Sequence, residues 1–216
     1  MARVRTRTDT VYPFAELTAA AQAAAIDARR EAVGEFFAED IGQNFDPGWC
    51  WGLDAAALGV EFKPRGQRWH NVSTGREGVD QSASVWWALH VQGAGASFDG
   101  TWTRPADPIA AMAAHAGDGD KLHAIAAALA ETPAGTSARI KADDRYHSLT
   151  VDVYDDQGNE ADEAIAAIVL QAMREYAEYI YRQIDTEYDY QTSDETIRAY
   201  LTDEDDGEYT AEGRRI

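Results

Sequence analysis

A long amphipathic stretch near the carboxyl end of the 216-residue chain limits the fold more than any other part of the sequence. After the turn-forming residues 155–159, apolar side chains recur at helical spacing as far as residue 188. The stripe comprises Ile165, Ile168, Val169, Ala172, Tyr176, Ile180 and Ile184. A helix with one apolar face has to bury that face, so we expect it to lie across a sheet.

The middle of the chain supplies strands for that sheet. Residues 84–91 and 97–102 flank a glycine-bearing turn at 92–95, which predicts a β-hairpin. Apolar and polar residues alternate in 138–142 and again in 149–153, which predicts a second hairpin with one solvated face. These segments predict an antiparallel sheet of four or five strands. Residues 64–82 are polar, with three glycines and one proline, and are expected to form a loop.

Helical spacing also appears outside the carboxyl-terminal stretch. It predicts helices over 18–44 and 49–58, two short helices within 108–130, and a last helix to about residue 201 that begins at a capping box with Thr192 as the cap. The sequence has neither a fixed-period repeat nor a low-complexity linker, so we expect one α+β domain over 1–216. Its core is expected over 10–202, followed by an acidic tail over 203–216 that ends in a short strand.

Charge limits the function classes. Asp and Glu number 38 against 19 Lys and Arg, and the net charge is -19. Residues 151–216 hold 19 of the acidic and 5 of the basic residues. This balance disfavours direct binding to nucleic acid or to an anionic membrane and favours a basic partner. A high-GC genome or a salty cytoplasm explains the same composition without a partner.

The remaining composition indicates a soluble protein of the cytoplasm. No apolar run approaches the 18 residues of a membrane helix, and the first residues lack a secretory signal. A single cysteine, Cys50, excludes an intramolecular disulfide and suits a reducing compartment, and its place between Trp49 and Trp51 predicts that it is buried. His115 and His123 lie eight residues apart, which does not fit a helical metal site, and we expect neither a metal nor a cofactor.

One arrangement offers acid–base chemistry. His90 on the first strand of the central hairpin is placed to lie across from Asp99 on the second strand. A pocket at this hairpin gives the alternative hypothesis of a small enzyme or ligand-binding protein. The commoner role of a strand histidine beside a tryptophan is structural, so a non-enzymatic protein is favoured.

Carboxylates on the carboxyl-terminal helices are the preferred binding residues. Steps of three or four residues along a helix separate charges by about 4.5 to 6 Å, so a bent row of carboxylates can imitate DNA phosphates. Exposed tyrosines beside them are typical interface anchors. The predicted partner-binding set is Glu175, Glu178, Tyr179, Tyr181, Asp185, Glu187, Asp189, Tyr190, Asp203, Glu204, Asp205 and Asp206. An ion pair of Glu178 with Arg182 is the structural alternative.

Three segments of the chain resemble a group of small phage- and prophage-encoded proteins of unassigned function, some of them labelled antitoxin-like. The segments are the opening 12–18 (YPFAELT), the core 86–102 with its QGAGASFDGTW ending, and the acidic 188–195 (YDYQTSDE), followed by a closing 208–216. The resemblance implies a phage accessory protein in the cytoplasm of a bacterial host and supplies no catalytic residues.

These observations predict a protein that occupies the basic surface or nucleic-acid-binding cleft of a host protein, as an inhibitor of host defence or of a nucleic-acid-binding protein. It is expected to bind neither nucleic acid nor membrane directly. An oligomeric or virion-associated structural protein is the third hypothesis, and a homo-oligomer is left open.

Overall fold

The computed structural model describes residues 10–71, 73–74, 76–115, 121–144 and 148–216. The chain divides into two compact units, Met1–Ala38 with Thr186–Ile216 and Glu39–Asp185, here called the terminal unit and the central unit. The helices are α1 (Ala19–Gly42), α2 (Cys50–Leu58), α3 (Pro108–His115), α4 (Lys121–Ala130), α5 (Glu163–Thr192) and α6 (Asp194–Asp203). Helices α1 and α5 each contribute residues to both units.

The strands all belong to the central unit. They are β1 (Val60–Phe62), β2 (Arg68–Asn71), β3 (Arg76–Val79), β4 (Val85–Ala88), β5 (Gly95–Phe98), β6 (Gly100–Thr103), β7 (Ser137–Asp144) and β8 (Ser148–Tyr154). Four of them form an antiparallel sheet in the order β1-β6-β7-β8, while β2–β3 and β4–β5 form two-stranded ribbons. The predicted α+β class with a four-stranded antiparallel sheet is therefore confirmed.

Side chains along each strand point alternately to the two faces of the four-stranded sheet, and one of these faces is buried. Trp102 is fully buried, and its indole Nε1 donates a hydrogen bond to the Leu58 carbonyl at 2.9 Å. Helix α5 buries its apolar stripe at Val169, Ala172, Tyr176, Ile180 and Ile184, as its periodicity predicts. The Tyr176 ring meets the Phe98 ring edge-on at 5.7 Å, so aromatic packing joins the helix to the core beneath it.

Two local predictions needed correction. Residues 64–82 were expected to form a loop, but 68–71 and 76–79 pair as the ribbon β2–β3. Both strands are largely polar, so their sequence lacks the alternation by which a half-buried strand is recognised. Residues 97–102 were expected to form one strand, but the chain changes partners at Asp99: β5 pairs with β4, while β6 pairs with β1 and β7.

The other helix predictions agree with the structure. Helices α1 and α2 lie where their spacing placed them, and α3 and α4 are the two short helices expected within 108–130. The break predicted between α3 and α4, at residues 117–119, lies outside the described residues. The cap of α6 is Ser193, whose hydroxyl accepts a hydrogen bond from the Thr196 amide at 3.2 Å, and Thr192 ends α5 instead.

The terminal unit has a small core of its own. Apolar residues from the start of the chain, α1, α6 and the last residues pack together, namely Phe14, Leu17, Ala21, Ala25, Ile26, Ile197, Leu201 and Tyr209. Tyr12 and Tyr209 exchange backbone hydrogen bonds of 2.9 Å, and Tyr209 is 2% exposed. Residues 203–216, expected as a tail, therefore include a segment that packs into this core, with isolated β-bridges in place of a strand.

Candidate functional site

The predicted partner-binding residues are divided between the two units. Five belong to the central unit, namely Glu175, Glu178, Tyr179, Tyr181 and Asp185. Seven belong to the terminal unit, namely Glu187, Asp189, Tyr190, Asp203, Glu204, Asp205 and Asp206. The two groups differ in what surrounds their side chains.

The central carboxylates each lie near a basic side chain. Glu178 Oε1 accepts a hydrogen bond from Arg182 Nε at 2.8 Å, which is the i,i+4 pair that the sequence offers as the structural alternative. Glu175 lies 4.0 Å from Lys121 Nζ and accepts a hydrogen bond from Gln171 at 3.0 Å. Glu175 and Glu178 therefore have partners within the unit, and the fold itself accounts for them.

The central tyrosines are also used by the fold. Tyr179 donates its hydroxyl to Asp54 Oδ2 at 3.4 Å, and His115 Nε2 lies 2.6 Å from Asp54 Oδ1. The Tyr179 ring stacks on Tyr176 with centroids 6.3 Å apart. Partial burial, assisted by two nearby carboxylates, raises the pKa of Tyr181. Neither Tyr179 nor Tyr181 is the freely exposed anchor that was predicted.

The prediction that Asp205 of the terminal unit contacts a partner needs correction. Its side chain is 3% exposed, accepts hydrogen bonds from the Tyr209 hydroxyl and Arg215, and lies 2.5 Å from Arg215 Nη2. Burial, followed by this hydrogen bond to Asp205, raises the pKa of Tyr209 to about 12. Asp205 therefore holds the last residues of the chain against the unit and is not available to a partner.

The remaining acidic residues of the terminal unit are mostly exposed. We use the name terminal carboxylates for those that are exposed and make no side-chain hydrogen bond or ion pair within the described part of the chain. They are Glu16, Glu31, Glu35, Asp189, Glu195, Asp203, Glu204, Asp206, Glu208 and Glu212. Four predicted residues belong to this set, while Glu187 is partly buried and accepts a hydrogen bond from Gln191 at 2.7 Å.

Over residues 10–38 and 186–216, the described part of the terminal unit, five arginines face fourteen Asp and Glu residues. Arg30 contacts Asp27, Asp194 and the Thr192 carbonyl, so it holds α1 to the start of α6. Arg29 lies 4.4 Å above the Tyr200 ring, and Arg198 donates to Gln22 at 3.1 Å. These guanidinium groups keep their charge, but carboxylates outnumber them, so the described part of this unit carries an excess of negative charge.

A row on α1 was missed by the sequence reasoning. Asp27, Glu31 and Glu35 are exposed and spaced by four residues, which places them on one face of the helix about 6 Å apart along its axis. The spacing of these acidic residues is visible in the sequence. The prediction for this segment rested on its Ala-rich apolar spacing, which indicates the buried face of the helix and not the exposed one. Tyr190, by contrast, is 62% exposed, as its predicted role requires.

The expected pair of His90 with Asp99 is not formed. The ladder pairs Ala88 with Gly95 and Val85 with Phe98, so Asp99 follows one end of the β4–β5 ribbon while His90 follows the other. His90 lies 3.9 Å from Asp185, with φ at 55°, and Asp99 Oδ1 accepts a hydrogen bond from the Ala142 amide at 2.9 Å. The hairpin is shorter than its apolar pattern suggested, so His90 falls in the turn and outside the ladder.

Within the described ranges, no three side chains of His, Cys, Asp or Glu converge to hold a metal ion. No described helix combines the length and the apolar character needed to cross a membrane. Cys50 is exposed, with its thiol 3.6 Å from Asn44 Oδ1, although its tryptophan neighbours had indicated burial.

Comparison with known proteins gives one match. A family model described as a domain of unknown function, DUF8835, matches residues 52–194. No curated protein and no solved structure matches the chain. The matched range covers most of the central unit and ends in the terminal unit at the start of α6.

Proposed function

The chain belongs to the DUF8835 family of domains of unknown function, so we propose its function from its own residues: it is a binding protein whose terminal unit associates with a basic macromolecular surface. The partner class is a protein with a cationic face of the kind that nucleic-acid-binding proteins present. The terminal carboxylates attract it, and Tyr190 supplies an exposed aromatic contact.

The observation that carries the proposal is the excess of exposed terminal carboxylates over arginines in the described part of the unit. Carboxylates at α6 and just after it, including Asp203, Glu204 and Asp206, lie close together in the sequence and repel one another. A helix carboxyl end disfavours negative charge as well, so the charges at Asp203 and Glu204 oppose the stability of α6. A cationic partner relieves both costs on binding.

The proposal keeps the binding of a basic partner that the sequence predicts, and it confines the binding surface to the terminal unit. The carboxylates on the central part of α5 are left out because their neighbours already pair with them. Inhibition of a host defence protein, a phage origin and a location in the bacterial cytoplasm stay predictions.

The experiment is affinity capture with two matched triple variants of the full chain. One variant, Asp203→Asn, Glu204→Gln and Asp206→Asn, removes three terminal carboxylates. The other, Glu175→Gln, Glu178→Gln and Asp185→Asn, removes three central ones, so the two variants have the same net charge. A partner captured by the unaltered chain is expected to be lost by the terminal variant and retained by the central one. Raising the salt to about 0.5 M is expected to weaken the complex, because screening shortens the range of the attraction.

Two outcomes contradict the proposal. If the terminal and central variants lose the partner equally, binding follows total charge and the terminal unit has no special role. If the complex still forms with the terminal variant and also persists at high salt, the contact is apolar and the terminal carboxylates do not contribute to it. A Tyr190→Ala variant measured in parallel reports whether the exposed ring contributes to the contact.

A further inference from the structure

The solvated face of the four-stranded sheet carries a second group of charged residues. Side chains alternate along β6 and β7, so that Trp102 and Ile140 are buried while Thr101, Arg139 and Lys141 are exposed. This face is therefore polar along its length and is opposite to the one that packs into the core.

A cavity of about 600 Å³ opens on this face, lined by residues 61–64, 99–101 and 139–141. Small-molecule sites in proteins commonly enclose about 300 to 1,000 Å³. The cavity therefore has room for a ligand of the size of a nucleotide or a sugar phosphate.

Three cations meet at this cavity because of the strand register. Gly100 pairs with Ile140, so Asp99 lies beside Lys141, and the Lys63 amide donates to the Asp99 carbonyl at 2.9 Å. Arg139 occupies the adjacent row, between Thr101 on β6 and Asp152 on β8, and forms no ion pair with that aspartate. Neighbouring strands are about 4.8 Å apart, so the cationic side chains start from positions close enough to reach one ligand.

The three cationic side chains are available to bind a ligand. Within the described part of the chain, Lys63, Arg139 and Lys141 make no side-chain hydrogen bond or ion pair. Two carboxylates also line the cavity, Glu61 and Asp99, and Asp99 already accepts the Ala142 amide. Two of the three lysines of a strongly acidic chain are thus placed on one cavity.

We propose that this cavity binds an anionic ligand of the phosphate-ester class. Arg139, Lys63 and Lys141 pair with the phosphate oxygens, because guanidinium and ammonium groups form charge-assisted hydrogen bonds with them. The Thr101 hydroxyl is placed to add a neutral hydrogen bond from the neighbouring strand. The ligand site is confined to the central unit and is independent of the terminal carboxylates.

The test is calorimetric titration of the full chain with inorganic pyrophosphate at low salt. Binding with a Kd below about 1 mM is expected, and the variants Arg139→Gln and Lys141→Gln are each expected to weaken it roughly tenfold. Arg174→Gln is the matched control, since Arg174 is exposed on α5 and its replacement changes the net charge equally. Amide chemical shifts are expected to change around Thr101 and Lys141.

Several results overturn the proposal. A Kd for pyrophosphate above about 1 mM does so, as does equal weakening by Arg139→Gln and Arg174→Gln, which identifies a non-specific charge effect. Shift changes located elsewhere in the chain also reject this cavity. If Arg139→Gln does not fold, Lys63→Gln, at the edge of the sheet, carries the same expectation and the same control. Binding of pyrophosphate but not of a nucleoside monophosphate identifies the site with free inorganic anions and rejects the phosphate-ester class.

Discussion

Carboxylates of the two units look alike in the sequence but have different surroundings in the structure. On the central part of α5, Glu175 and Glu178 are partly exposed and paired with Lys121 and Arg182. On the terminal unit, carboxylates such as Glu204 are exposed without a described partner, while Asp205 beside it is buried and doubly bonded. Acidity by itself therefore does not identify a binding surface, because the pairing of each carboxylate decides whether it is available.

The largest expected effect distinguishes two adjacent aspartates of the terminal unit. Asp205→Asn removes the charge that Arg215 and Tyr209 share, and is expected to lower the free energy of unfolding by about 2 kcal/mol. The loss is smaller than for a fully buried pair because Arg215 is 58% exposed and regains water. Urea denaturation followed by circular dichroism measures it.

Asp206→Asn is the matched control for that experiment. It makes the same chemical change one residue further on, at an exposed position, and is expected to alter the free energy of unfolding by less than about 0.5 kcal/mol. Equal effects of the two substitutions would remove the distinction between a structural and an available carboxylate in this segment.

Most of the fold was predictable because it rests on periodicity. The stripe on α5 and the alternation in β7 and β8 report directly which side chains are buried. The ribbon β2–β3 escaped prediction because polar residues on both of its faces give no alternation. The partner exchange at Asp99 escaped as well, since it depends on which strands lie on either side in space.

Much less of the site was predictable, for a physical reason. Pairing partners such as Lys121 with Glu175, or Arg215 with Asp205, come from different elements or from a later turn of the chain. The ion pair of Glu178 with Arg182, by contrast, has its partner at a helical spacing that the sequence displays. The row of Asp27, Glu31 and Glu35 was visible at spacing four and was overlooked, whereas the burial of Asp205 left no trace in the acidic run.

The second prediction uses the hydroxyl that binds Asp205. Tyr209→Phe deletes that donor and is expected to lower the free energy of unfolding by about 1 kcal/mol at pH 8. The pKa of Tyr209 is raised from 10.0 to about 12, so folding favours the protonated hydroxyl. This contribution is complete below pH 10 and is lost as the pH rises toward 12, so the gap between the unaltered chain and the variant is expected to narrow there.

Denaturation midpoints measured from pH 8 to pH 11 follow that gap. Tyr190→Phe is the control in the same unit, because Tyr190 is 62% exposed and its replacement is expected to leave a gap near zero at every pH. A Tyr209→Phe gap that stays constant, or widens with rising pH, would show that the protonated hydroxyl does not stabilise the folded state.

The smallest expected effect has opposite signs in the two units. Asp203→Asn with Glu204→Gln removes two terminal carboxylates from the end of α6, where the helix dipole and neighbouring charges disfavour them, and is expected to raise the free energy of unfolding by about 0.5 kcal/mol. Glu175→Gln with Glu178→Gln removes the same charge from paired positions and is expected to lower it by about 0.5 kcal/mol.

Salt tests whether both of these effects are electrostatic. Both differences are electrostatic and concern exposed or partly exposed groups, so both are expected to shrink toward zero when denaturation is repeated at about 1 M salt. Stabilisation by the terminal substitutions at low salt means that the folded state tolerates those carboxylates at a cost, which is the condition under which a cationic partner gains from binding there. If the terminal substitutions instead destabilise the chain, those carboxylates have stabilising contacts within it, and the contrast between the units no longer supports a binding role.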